Sequence, residues 1–191
     1  YHYLLAEQVE KSYTEYDVTT LELAQKQQIL SISALNGIKV DLSRIDANNA
    51  LPGFAIAFNT RSETGETLSM SLQALFVPDT CVTSDTVVRE IPPPTAAAVD
   101  STAETIRGFY LRDEGYSEAG AIAGRFTYQP TRQTLEMTTY YKRSVAVDQM
   151  RIVTPDLRLR TIITYQRPAN IEEPPSIIDL VGFGVERKQP A

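Results

Sequence analysis

The chain has 191 residues, 42% of them hydrophobic, which suits one domain with a sizeable core. A net charge of −6 and a pI near 4.9 speak against nucleic acid or an anionic membrane surface as a partner, because both reward a basic footprint. The single cysteine, Cys81, cannot form an internal disulfide, so a reducing compartment is expected. No apolar run has the length that spans a bilayer, and the first residues lack the basic start and apolar centre of a signal peptide. The chain opens in a β-like pattern without an initiator methionine, so truncation at the N-terminus is expected.

Tyr1 to Val9 and Tyr13 to Thr19 read as two strands joined by the polar Glu10-Lys11-Ser12, with Tyr1, Tyr3 and Leu5 on one face. Thr19 and Glu22 stand at capping-box spacing before a helical run through Leu35, which stops at Asn36-Gly37. Residues 38–51 read as a long connection. A strand from Phe54 to Asn59, a turn at Glu63-Thr64-Gly65 and a strand from Thr67 to Val77 make a hairpin. Residues 83–105 carry Pro92-Pro93-Pro94 and a small-residue run, and read as a mobile loop at a barrel rim. Strands follow at Ile106–Arg112, Ala121–Gln129, Thr134–Tyr141, Val145–Val153, Leu157–Gln166 and Ile178–Arg187, with a turn at Asp113-Glu114-Gly115. In the last strand Val181, Phe183 and Val185 share a face. The spacing predicts a mainly β fold: a closed antiparallel up-and-down barrel of about nine or ten strands with one early α-helix, in a single domain over 1–191, wide enough for one small ligand.

Several kinds of chemistry lack a basis. Gly182-Phe183-Gly184 lies inside a strand pattern and does not open a helix, so it is no phosphate loop. One histidine, His2, and one cysteine far from it give no metal cluster and no nucleophile elbow. What stands out is the stretch from Asp148 to Thr161. Thr154-Pro155-Asp156 is a turn, with an Asp carboxylate available to backbone N–H groups. In the strand after it Leu157, Leu159, Thr161 and Ile163 fall on one face, and Arg158, Arg160 and Ile162 on the other. The two guanidiniums stand about 7 Å apart, a spacing suited to a ligand with more than one carboxylate. The alternation alone favours a solvated outer face instead. Asp148 can face either arginine across the hairpin, and Phe58, Phe126, Tyr128 and Tyr141 are candidates for pocket or plain core.

Two motifs carry a family resemblance. The run Leu111-Arg-Asp-Glu-Gly-Tyr-Ser-Glu-Ala-Gly-Ala-Ile-Ala-Gly-Arg-Phe126 resembles a segment of the S/U-type phycobiliprotein lyases, the CpcS/CpeS/CpcU group. That segment reads approximately Leu-Arg-Glu-Gln-Gly-Tyr-Ala-Glu-x-x-x-Val-Ala-Gly-Arg-Tyr. Thr154-Pro-Asp-Leu-Arg-Leu-Arg-Thr161 is similar to the family's Ser-Pro-Asn/Asp-Leu-Arg-Leu-Arg-Thr, and weaker similarity covers nearly the whole chain. The chain departs from the pattern at Asp148-Gln149, where the family has glutamate-arginine, and at Phe58, which falls where the family has tryptophan.

The resemblance implies a lipocalin-like barrel that binds an open-chain phycobilin, phycocyanobilin or phycoerythrobilin, as substrate with no other cofactor. It implies delivery to a cysteine of an apo-phycobiliprotein subunit through a thioether, in a cyanobacterial cytoplasm or plastid stroma. Asp148 precedes Arg158 by the family's ten residues, so Asp148, Arg158 and Arg160, with Phe58, take the role of bilin contacts, and Asp148 that of the catalytic group. On this reading the arginines face inward and bilin carboxylates offset their burial. A homodimer or a heterodimer with a related subunit is expected. The alternatives are a non-catalytic partner subunit and a bilin or lipid carrier without transfer activity.

Overall fold

Side chains that alternate between two faces along successive strands govern the architecture. The computed structural model describes residues 9–45, 51–86, 90–93, 104–113 and 122–190. Its strands are β1 (Val9–Thr20), β2 (Gly53–Ser62), β3 (Thr67–Pro78), β4 (Ile106–Arg112), β5 (Ile122–Gln129), β6 (Thr134–Tyr140), β7 (Ser144–Thr154), β8 (Leu157–Gln166) and β9 (Ile178–Lys188). They follow one another around a closed barrel in chain order. Every neighbouring pair is antiparallel except the seam, where β1 and β9 run parallel. That seam corrects the purely antiparallel expectation. In a meander with an odd number of strands the first and last point the same way, so closure has to be parallel.

The strand count among the described residues is nine because Glu10-Lys11-Ser12 does not turn. These residues pair with Gly182, Phe183 and Gly184 of β9, and no glycine, proline or asparagine there offers a reversal. The helix α1 (Leu23–Leu35) is capped three residues later than expected: Glu22 and Gln25 form the box, while Thr19 belongs to β1. Its stop is as read, with Gly37 taking φ 85. Tyr1, His2, Tyr3 and Leu5 lie outside the described residues, as do 114–115 of the expected turn and 87–89 and 94–103 of the expected mobile loop. Within that loop Pro93 is buried, and Glu90 is bonded to Arg167 beyond β8 at 2.5 Å.

Two apolar layers result. Inside the barrel, Tyr16, Ile56, Phe58, Leu72, Phe76, Tyr110, Phe126 and Met137 pack together, with Phe76 edge-on to Phe126 and stacked on Tyr110 at 5.1 Å. Outside it, Ile29 of α1 shares a cluster with Leu75 and Val77 of β3 and Phe109 and Leu111 of β4. The helix therefore covers one flank of the barrel and leaves the β7–β8–β9 side to other contacts.

At Gly108 the pairing of β3 and β4 leaves no room for a side chain. A Cβ there would stand 2.1 Å from the Val77 carbonyl oxygen and 2.7 Å from the Phe126 ring. Gly108→Ala is expected to cost about 3 kcal/mol through overpacking, read as a lower urea midpoint at unchanged slope. An unchanged midpoint would mean that the strand pair yields without strain.

Candidate functional site

The inner face of β8 carries Arg158, Arg160 and Ile162, so the two arginines point into the barrel and the solvated-face reading is corrected. Both remain about a fifth exposed, at 21% and 19% of the side chain. Register explains their partners. Arg158 stands directly across from Glu186 of β9, and its Nε donates to the Glu186 carboxylate. Arg160 stands across from Gly184, which has no side chain, so its guanidinium reaches diagonally. On one side its Nε donates to Asp148 Oδ1 at 2.5 Å, and on the other Glu186 Oε1 lies 3.5 Å from a terminal nitrogen. Glu186 is 3% exposed and serves both cations. The Arg158 guanidinium also sits over the Tyr16 ring, 4.2 Å from its centre.

Two arginines and two carboxylates thus form one neutral network across β7, β8 and β9. The expectation that bilin carboxylates offset the burial of unpaired arginines is corrected, because the chain supplies both counter-charges itself. Sequence reasoning missed Glu186. The signal for it is weak: a lone carboxylate two residues after the inward Gly184, visible only once the inner face is known.

Arg158, Arg160 and Glu186 line one end of a small internal cavity of about 80 Å³, with Thr14, Phe54, Phe58 and Met150 among its other walls. Phe58 lies across from Tyr16 and so belongs to the same chamber. Asp148 is not part of that lining; it stands behind Arg160 and holds it. Through Leu135 the cavity borders an open cleft of about 680 Å³ at the barrel mouth, where Phe126 and Tyr128 form part of the wall and buried Cys81 lies at the edge. Tyr141 is elsewhere, at the opposite end, where its hydroxyl accepts from Arg112 at 2.7 Å. At the β7–β8 turn the Asp156 N–H donates to the Thr154 hydroxyl, in place of a bond to the Asp156 carboxylate.

The outer wall explains other sequence features. Gln149 points outward and donates to Glu136 at 2.7 Å, so any side chain at that position is directed away from the cavity. Arg125 grips Asp79 with two parallel bonds of 2.8 and 2.6 Å and covers Phe109, which fastens the segment after β3 to β5. Tyr140 lies half-buried in an outer depression that Glu90 also lines. Burial, and after it the Glu90 carboxylate, push its phenol up to about 12. Among the described residues no group of three or more His, Cys, Asp or Glu is placed to hold a metal, and no helix is long and apolar enough to cross a membrane.

A closed barrel with a charged inner wall beside an apolar chamber defines a lipocalin-like binding protein. The model of the CpeS-like protein family matches residues 94–188. The chain is 38% identical over 188 residues to a protein of Synechococcus sp. (strain JA-3-3Ab) named chromophore lyase CpcS/CpeS 1, covering 98% of this chain and 86% of that one. The chain belongs to the CpcS/CpeS chromophore lyase family. It is also similar to the S-type phycobiliprotein lyase CPES of Guillardia theta, at 17% identity and a TM-score of 0.45, over 81% of this chain and 67% of that one.

Two outcomes are expected from these contacts. Glu186→Leu, which takes from Arg158 its carboxylate and leaves Asp148 as the one acid beside two arginines, should cost about 3 kcal/mol, and Glu186→Leu with Arg158→Met should cost less than Glu186→Leu alone. Equal losses in urea denaturation would show that Arg158 does not depend on Glu186. For Tyr140, an unfolded phenol ionises near 10 and the folded one near 12, so between those values the unfolded chain binds fewer protons. Stability should therefore fall as pH rises through that window, and Tyr140→Phe should flatten this part of the profile.

Proposed function

We propose that the protein is a phycobilin lyase: it binds an open-chain phycobilin in the barrel and delivers it to a cysteine of an apo-phycobiliprotein subunit. The observation that carries the reading is the Arg158–Glu186–Arg160–Asp148 network on the wall of an aromatic-lined chamber. A bilin propionate can replace Glu186 or Asp148 as the partner of an arginine, since guanidinium binds either carboxylate in the same geometry. When Arg160 turns to a propionate, Asp148 is released toward the pyrrole N–H groups, which need an acceptor inside the barrel. A carboxylate there favours the protonated, more electrophilic tetrapyrrole. Phe54 and Phe58, in the chamber lining, supply flat apolar surface for the rings.

The bond-forming step needs no cysteine of this chain. The acceptor's thiolate adds to the exocyclic ethylidene carbon, the double-bond electrons shift into the ring, and the proton lost by the thiol ends on the neighbouring ring carbon. Nothing leaves and nothing is oxidised, so the lyase contributes orientation and exclusion of stray nucleophiles. Phycocyanobilin or phycoerythrobilin is the substrate, and a cyanobacterial cytoplasm or plastid stroma the setting. The outward Gln149 supports pigment binding without the family's arginine at that position. Exposed Leu159, Phe183 and Val185 on the outer wall of β8–β9 support pairing with a second copy or a related subunit.

Addition of phycocyanobilin should shift and sharpen the pigment's visible spectrum, and Arg158→Ala or Arg160→Ala should weaken binding about tenfold. Co-expression with a bilin-synthesis system and candidate apo-subunits should yield covalent pigment on at least one subunit above the spontaneous level. Pigment binding without any adduct would instead identify a carrier. A protein that does neither alone, yet raises a partner lyase's yield, would be the non-catalytic half of a heterodimer.

A further inference from the structure

The internal cavity and the pigment differ in size. A four-ring ligand needs a pocket of several hundred Å³, and the chamber beside Arg158 and Arg160 offers about 80 Å³. The adjoining cleft at the barrel mouth offers about 680 Å³, shares Leu135 with the chamber, and is walled mostly by apolar side chains such as Phe76, Phe126 and Tyr128. Among the described residues of its lining the cationic side chain is Arg44, on the short turn after α1. Arg44 is steadied at the rim: its Nε lies 3.0 Å from the Asp41 carboxylate, and NH1 donates to the Thr80 carbonyl at 3.0 Å. With five N–H donors, a guanidinium held this way can keep both bonds and still donate to a carboxylate.

Resting on the bilin-binding reading, we propose that the mouth cleft seats the outer half of the tetrapyrrole and that Arg44 binds one of its two propionates. The inner arginines take the other propionate. The apolar wall covers ring faces, and the rim cation holds the acid group where the cleft meets solvent. Rings in the cleft lie outside the chamber, where a protein thiol can reach them. Arg44 is therefore a second anchor that fixes how far the pigment enters, and with it which end faces the acceptor.

The test is a spectral titration of the full chain with phycocyanobilin. Arg44→Ala should raise Kd about fivefold, as expected for a largely exposed ion pair, and Arg44→Lys should recover most of the loss. Arg44→Ala should also lower the preference for the free acid over the dimethyl ester, a change that a merely structural role would not produce. Independently, Thr80→Cys in a Cys81→Ser background places one thiol at the rim; phycocyanobilin at ten times Kd should slow its alkylation by iodoacetamide about tenfold. The inference is overturned if pigment binds and Arg160→Ala weakens it, while Arg44→Ala binds normally and the rim thiol reacts at one rate with or without pigment. That pattern leaves the bilin-binding reading intact. No spectral change in any variant or in the parent chain would remove that reading and this inference with it.

Discussion

Glu186 is a carboxylate almost wholly enclosed by protein, and the inner wall of the barrel depends on how it is paired. A lone buried carboxylate costs several kcal/mol, and so does a lone buried guanidinium. Two arginines on one strand and two acids on its neighbours offset these costs together, but only if β7, β8 and β9 keep their register. The parallel seam matters here as well. It places Thr14 of β1 across from Glu186 and brings Tyr16 under the Arg158 guanidinium, so the last strand and the first converge on the same charges. Closure of the barrel and construction of the site are one event.

The polarity of this wall is reversed from the ordinary rule. In β8 and β9 the apolar residues Leu159, Phe183 and Val185 face outward, while Arg158, Arg160, Glu186 and two glycines face inward. Alternation in the sequence separates the two faces of each strand correctly but does not say which is inside. Read with apolar-in patterning, both strands would be turned over. Local conflict of this kind is characteristic of functional sites, where binding outweighs packing. It also leaves apolar side chains on the outer surface, the condition under which a second chain is useful.

Most strand limits were legible because the turns between β2 and β9, apart from Tyr141-Lys142-Arg143 between β6 and β7, carry glycine, proline or aspartate. The misreadings share a cause. Glu10-Lys11-Ser12 looks like a turn by composition, and Thr19 looks like a cap by spacing, yet the first pairs with β9 and the second with β2, and tertiary pairing overrides local preference. Glu186 was invisible for a different reason. Its partners lie in another strand, and only three-dimensional register joins them. The motif between Leu111 and Phe126 was legible as a motif, but what its described residues do was not. Arg112 bonds a tyrosine at the far end of the barrel, Gly124 lets β6 come close, and Arg125 clamps Asp79. All three serve the scaffold, whereas the paired arginines of the inner wall lie in the other motif.

A network that is neutral before the substrate arrives changes the energetics of binding. If the arginines waited unpaired, their burial would be charged against stability in every molecule, loaded or not. With Glu186 and Asp148 in place, a propionate exchanges for a carboxylate already present, so the guanidiniums stay paired throughout and only the displaced acid has to find a new partner. Exchange of this kind gives modest affinity and ready release, which suits a protein that must give its ligand up. On the proposed function, the displaced acid is the group that meets the pyrrole nitrogens, so that admission of the pigment and its polarisation for attack by the acceptor's thiolate are one exchange.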